Sequence, residues 1–387
     1  MIRLLTAYTR EVDDSAKAIK EIHEQLNLAE KQLTHSAILL FCYSEFIKSG
    51  VAEAVGNSLP AETVGCTSHY FALPGAAGDI MLTVMALTSD DVEFAAGVSE
   101  PLTGENLEGC IDALYQKTAA SLNAEPAFIF ALLPMLFNLG SDIMLTALDH
   151  ACGGIPVFGT GALDMHIRPR HPKTIYRGSA YSDRMVLLLF KGPVKPKFFF
   201  FPFPEQGMFS QDAVITGAEG NQITDINNMP AISFVKELGL FQESKHSVSI
   251  AFPLVVDYHD GTDPQVVVMY SISPEGALIC GTHVQVGGTL KIGVINADYV
   301  LASARDMIQA VKKTGNQAGF LMFSCFLRSV VLRGNSLAEI ELFQKEIGGF
   351  SSPYLFLYSG GEICPRYMES GETVNRFYQF ALIACQF

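Results

Sequence analysis

Two short stretches gather the side chains able to do chemistry. Gly65-Cys66-Thr67-Ser68-His69 places a thiol, two hydroxyls and an imidazole where an apolar run ends. Ser324-Cys325-Phe326-Leu327-Arg328 places a second thiol three residues before a guanidinium. One reading is nucleophilic catalysis, with His69 as base for Cys66 or with Arg328 lowering the pKa of Cys325. Residues three apart leaving a strand rarely face each other, however, and no acidic orienter stands beside His69. A free Cys ending an apolar strand is ordinarily buried and inert. A second reading of the first stretch is a polar cradle, in which the Gly65–Ser68 hydroxyls and backbone N–H groups hold a small anion or carboxylate. Plain turn and core roles are the third. Arg328 can hold a carboxylate bidentately, and Glu362, just after Gly360-Gly361, offers the opposite charge at a matching place. The two form either a structural ion pair or a clamp for a zwitterion, with Thr67 and Ser68 adding uncharged hydrogen bonds.

Other motifs are weaker. Phe158-Gly159-Thr160-Gly161-Ala162-Leu163-Asp164 contains G-x-G after a strand. It lacks the third glycine, and Arg168, Pro169 and Pro172 block a following helix, so a dinucleotide site is not supported. No Walker A, C-x-x-C, H-E-x-x-H or EF-hand pattern occurs, and neither cofactor nor metal is expected.

The elements that must position these residues repeat. An apolar strand over 37–42, a short helix carrying Val51, Val55 and Leu59, and a strand at 63–66 form one unit. A strand over 127–133, a helix over 141–151 and a strand at 156–159 form the next. A strand over 319–325, a helix over 337–347 and a strand at 354–361 form the third, with Ser336-x-x-Glu339 reading as a capping box. The spacing suits β-α-β crossovers, and each second strand runs into small residues. Open α/β sheets bind ligands beyond the carboxyl ends of their strands. One or two crevices there are expected to gather Gly65–Ser68, Asp164, Cys325–Arg328 and Glu362.

Helices are also predicted over 14–33, 230–238 and 299–313. Further strands are predicted over 79–87, 92–98, 173–176, 185–190, 213–218, 247–252, 266–272, 277–284 and 289–295, with a hairpin at Glu219-Gly220-Asn221. The fold class is α/β (mixed α+β): two related domains, mixed sheets packed together, helices outside. The Pro/Lys-rich stretch 191–197 is the best boundary. It divides a helical lead-in (1–35) and a first domain (36–192) from a second (193–387).

Composition narrows the function class. Only 17% of residues are charged, against about 25% in typical domains, so strands covered on both faces are expected. The net charge of −14 repels polyanions, which argues against nucleic-acid binding. The first residues hold no apolar stretch of signal-peptide length, and the oily run 127–139 is too short for a membrane span. Eight scattered cysteines read as reduced thiols. A cytoplasmic location without membrane insertion is expected.

Several segments together resemble the FIST family, named for F-box and intracellular signal transduction proteins. Leu59-Pro60-Ala61-Glu62-Thr63-Val64-Gly65-Cys66-Thr67-Ser68 and Gly154-Ile155-Pro156-Val157-Phe158-Gly159-x-Gly161-Ala162-x-Asp164 are similar to segments of its N-terminal domain. Val214-Ile215-Thr216-x-Ala218-x-Gly220-Asn221, Phe323-Ser324-Cys325-x-x-Arg328, Tyr358-Ser359-x-Gly361-Glu362-Ile363 and Asn375 resemble segments of its C-terminal domain. The chain departs from the pattern at His69-Tyr70, where small-Gly-Glu is usual, and at Thr160. The resemblance implies a sensory module that binds a small molecule such as an amino acid and works with signalling partners. It implies ligand contacts among Gly65, Cys66, Thr67, Ser68, Asp164, Cys325, Arg328, Gly361, Glu362 and Asn375. The competing expectations are a cysteine-nucleophile hydrolase or transferase and a ligand-free interaction scaffold.

Overall fold

The computed structural model describes residues 2–136, 139–164, 171–202, 213–239, 253–259, 264–293, 296–314, 319–332, 335–347, 352–368 and 371–387. Each predicted strand–helix–strand unit supplies the two parallel central strands of a six-stranded mixed sheet. The first sheet is centred on His35–Cys42 and Glu62–Thr67, the second on Phe128–Leu133 and Val157–Gly161, the third on Phe320–Cys325 and Tyr354–Ser359. Antiparallel strands flank each pair. Leu82–Ser89 and Arg3–Thr9 extend the first sheet on one side, Val186–Lys191 and Glu93–Val98 the second, Leu382–Gln386 and Lys197–Phe201 the third.

On the other side the sheets exchange strands in a closed cycle. After Glu62–Thr67 the chain leaves its sheet, and His69–Leu73 pairs with Tyr354–Ser359 of the third. After Tyr354–Ser359, Glu362–Tyr367 pairs with Val157–Gly161 of the second. After Val157–Gly161, Thr174–Tyr176 pairs with Glu62–Thr67 of the first. No sheet is complete without a strand from another, so their edges are satisfied mutually.

The inner faces share one core. Phe41, Phe130 and Phe158 each pack on Phe323, with ring centroids 6.0, 6.2 and 5.4 Å apart. Helices cover the outer faces: Ser15–Leu26 and Val51–Ser58, Leu107–Ala120 and Ser141–Cys152, Ala297–Lys313 and Ala338–Ile347. Burial on both faces is why the central strands are continuous apolar runs.

Several expectations change in detail. Asp14 caps the first helix, its side chain accepting from the Lys17 N–H, but Asn27 in the left-handed region breaks it after Leu26. Arg3–Thr9, placed in a helical lead-in, is an edge strand whose alternation is too short to stand out. The helix Leu107–Ala120 has no counterpart in the sequence reading. The stretch 191–197 joins a strand of the second sheet to one of the third, and the strands Glu362–Tyr367 and Thr373–Tyr378 lie in the second sheet. Between Lys197–Phe201 and Ala297–Lys313 the chain forms a small closed barrel around Ile215, Ile223, Val256, Val267 and Leu290. Its first hairpin turns at Gly220 as expected. The strand predicted over 247–252 lies outside the described residues.

Candidate functional site

The three second strands end against one another. The Leu163 N–H donates to the Thr67 carbonyl (2.9 Å), Gly161 N–H to the Gly361 carbonyl (3.0 Å) and Gly360 N–H to the Gly161 carbonyl (3.1 Å). The Ser68 hydroxyl bonds the Tyr358 carbonyl, and Thr160 Oγ1 bonds the Gly361 carbonyl at 3.0 Å. The segments expected to converge therefore meet at one junction, built largely of backbone.

Their side chains are mostly engaged in holding it. Gly65 lies where a Cβ would stand 1.7 Å from the Leu40 carbonyl oxygen, so its role is strand packing. Gly361 sits at φ +130° with Phe377 over it, a place closed to side chains. Thr67 Oγ1 accepts from the Lys173 N–H at 2.8 Å, pinning the strand exchanged from the second sheet. Asn375 accepts from the Val157 N–H (2.7 Å) and donates to the Ile155 carbonyl (2.8 Å) and the Asp149 carboxylate, which fastens an edge strand to the helix Ser141–Cys152.

Both thiols are poor nucleophiles. Cys66 and Cys325 are buried, and burial pushes each well above the usual thiol range, with the Glu362 carboxylate adding to the rise at Cys325. A buried neutral thiol neither attacks nor binds metal readily. All eight cysteines are free.

Arg328 and Glu362 do not form the expected pair. Arg328 is fully buried, and its Nη2 meets Glu339 Oε1 at 2.6 Å, Ser303 Oγ at 2.9 Å and the Val300 carbonyl at 3.1 Å. Glu339 in turn accepts from Ser324 Oγ and Tyr358 Oη at 2.8 and 2.9 Å. The Glu339 side chain is thus not the reciprocal half of a capping box: it turns inward to a buried cation that would be costly to leave unpaired. Glu362 accepts from Ser359 Oγ at 2.6 Å and the Ala381 N–H at 3.3 Å. Burial raises its pKa well above the carboxylate range despite these bonds and the field of Arg328.

Asp164 is itself buried but is bonded to a residue that lines a cleft. Its Oδ2 accepts from the His171 N–H at 2.8 Å, and His171 lines a cleft of about 630 Å3. Leu102, Met135, Leu136 and Pro172 give this cleft an apolar wall, and Thr103, Ser182 and Asp183 a polar one. Met135 follows the carboxyl end of Phe128–Leu133, and a Cβ at Gly360 would stand 3.2 Å from its Cε. The cleft thus abuts the junction. Sequence reasoning missed Met135, His171 and Asp183, since no motif marks them. Only their distance from strand ends hinted at the place.

No curated protein matches the chain significantly. Among solved structures, cyanuric acid hydrolase from A. caulinodans aligns over 100% of this chain and 99% of its own, at 7% identity and a TM-score of 0.37. The FIST N domain model matches residues 36–229 and the FIST C domain model residues 232–365. With both domains matched over most of its length, the chain belongs to the FIST family, whose domains act as sensors in signal transduction.

Proposed function

We propose that this protein is a cytoplasmic sensor whose small ligand, of the amino-acid class, binds in the cleft between Met135 and His171. The observation that carries the reading is the cleft's position: it opens beyond strand ends and touches the junction where all three sheets meet. Ligand sites in layered α/β folds favour that position, and its volume falls in the usual range for small-molecule pockets, roughly 300–1,000 Å3. An apolar wall faced by hydroxyls and one carboxylate suits a small metabolite with an apolar side group and a polar end. Asp164 sits behind the cleft and fixes His171. Arg328 and Glu362 contribute by bracing the junction, not by touching the ligand. Family membership supports sensing over catalysis, and the buried thiols give the cysteine-nucleophile alternative nothing to work with.

A thermal-shift screen against free amino acids and small metabolites tests this. A ligand at 100 times its Kd adds about 2.7 kcal/mol of stability. Thr103→Trp fills the cleft and is expected to abolish the shift while leaving the unliganded melting temperature nearly unchanged. A panel without hits, or a shift surviving Thr103→Trp, overturns the reading.

A further inference from the structure

One carboxylate in the cleft lacks a counter-charge. Asp183 lines the cleft together with Ser182, Leu102 and Thr103. These residues lie on the two segments that continue the pairing of Val186–Lys191 with Glu93–Val98. Hydrogen bonds tie the segments together. The Leu102 N–H donates to the Asp183 carbonyl at 2.8 Å, the Ser99 N–H to the Met185 carbonyl at 2.9 Å, and the Met185 N–H to Ser99 Oγ at 3.0 Å. The Asp183 backbone is therefore fixed on the cleft wall. Its half-buried side chain makes no hydrogen bond or ion pair with the described residues.

The neighbouring cations are engaged elsewhere. Arg184 Nη1 donates to the Ser99 carbonyl at 3.1 Å and pairs with Glu100 at 3.7 Å, and its guanidinium lies 5.0 Å from the centre of the Tyr181 ring. Lys173 Nζ bonds the Ser182 hydroxyl. Among the described residues lining the cleft, Asp183 is the one acid, and none is lysine or arginine. Leu102, Met135, Leu136 and Leu139 supply apolar surface in the same space. A carboxylate beside such surface loses hydration without gaining a partner, and a ligand ammonium restores it with charge-assisted hydrogen bonds. A ligand carboxylate at the same place would meet like charge.

We infer that Asp183 is the residue that selects the ligand: a small amine held by its ammonium on the Asp183 carboxylate, with its apolar group against Leu102, Met135 and Leu136. This inference rests on the cleft reading and narrows it, since the ammonium is required and a ligand carboxylate is dispensable.

Isopentylamine, isopentanol and isovalerate are the probes, titrated by calorimetry into the full chain at neutral pH. They share a branched apolar skeleton and end in a positive, a neutral and a negative group. The amine is expected to bind saturably and about tenfold more tightly than the alcohol, as a hydrogen bond to a charged group supports, and isovalerate more weakly than either. Asp183→Asn, which keeps the shape of the side chain, is expected to lower amine affinity about tenfold, to that of the alcohol, with the melting temperature nearly unchanged. Thr103→Trp is expected to abolish binding of both. Full amine affinity in Asp183→Asn, isovalerate binding as tightly as the amine, or no saturation by the amine up to about 100 mM overturns the inference. The two readings fail separately. Equal binding of amine and alcohol that Thr103→Trp abolishes overturns selection by Asp183 and keeps the cleft, whereas binding that survives Thr103→Trp overturns the cleft and this inference with it.

Discussion

The Arg328 guanidinium and the Glu339 carboxylate meet at 2.6 Å with their side chains 1% and 0% exposed. Ser324, Ser303, Tyr358 and the Val300 carbonyl extend the network across two strands and three helices, while Arg328 Nη1 has no hydrogen-bond partner among the described residues. A buried pair breaks even against desolvation only when its remaining groups are hydrogen-bonded, and losing one partner leaves a charge stranded. Arg328→Met is therefore expected to cost about 3–5 kcal/mol, read as a lower urea midpoint, and adding Glu339→Leu to recover part of it. An unchanged midpoint would show that the fold does not need this cation and would restore its reading as a ligand clamp.

Glu362 is expected to make the protein less stable as pH rises. Its folded pKa lies well above the ordinary 4.5 because burial penalises the charge. Below pH 4.5 both folded and unfolded states keep the proton. Above it, the unfolded chain releases a proton that the native state retains, so stability falls by up to about 1.4 kcal/mol per pH unit until the folded pKa is reached. Glu362→Gln removes this contribution. Unfolding free energies of the two proteins between pH 4 and 8 should diverge in favour of the variant; parallel curves would show that Glu362 ionises normally.

Thiol reactivity should single out one residue. Cys110 alone among the eight cysteines is not buried. A thiol reagent is expected to modify Cys110 quickly in the native protein and the other seven only after denaturation. Rapid native labelling at Cys66 or Cys325 would contradict the burial on which the case against a thiol nucleophile rests.

Glycine substitutions should divide by environment. A Cβ at Gly65 or Gly159 would stand 1.7 or 1.9 Å from the carbonyl oxygen of Leu40 or Ala131 on the neighbouring strand. Either Gly→Ala change is expected to cost about 3 kcal/mol or more by forcing parallel strands apart. Gly109, on the exposed side of the helix Leu107–Ala120, has open space around it. Gly109→Ala is expected to stabilise by about 0.5–1 kcal/mol. Thermal melts of the three variants check this, and a neutral Gly65→Ala would mean that the strands have slack.

The three strand–helix–strand units were legible in the amino-acid sequence because their signals are local. Runs such as 37–42 and 320–325 are apolar on both faces, helix stripes recur at 3.6 residues, and a strand-breaking turn follows each second strand. That grammar also led to the expectation of crevices gathering Gly65–Ser68, Asp164, Cys325–Arg328 and Glu362, whereas the second strands meet in a junction built largely of backbone. What the tertiary structure alone decided is the partnership of long-range groups. Nothing in the local pattern of Ser336-x-x-Glu339 distinguishes a cap from an inward carboxylate, and the choice falls to Arg328, which needs a buried counter-charge. Nor does the sequence around Glu62–Thr67 reveal that its neighbour Thr174–Tyr176 comes from the second unit, because strand pairing is satisfied by any backbone at the right register. The cleft beside Met135 arises only where separate stretches of the chain are brought together. Composition and periodicity encode which residues are buried, whereas the pairing of charges, edges and surfaces depends on three-dimensional proximity.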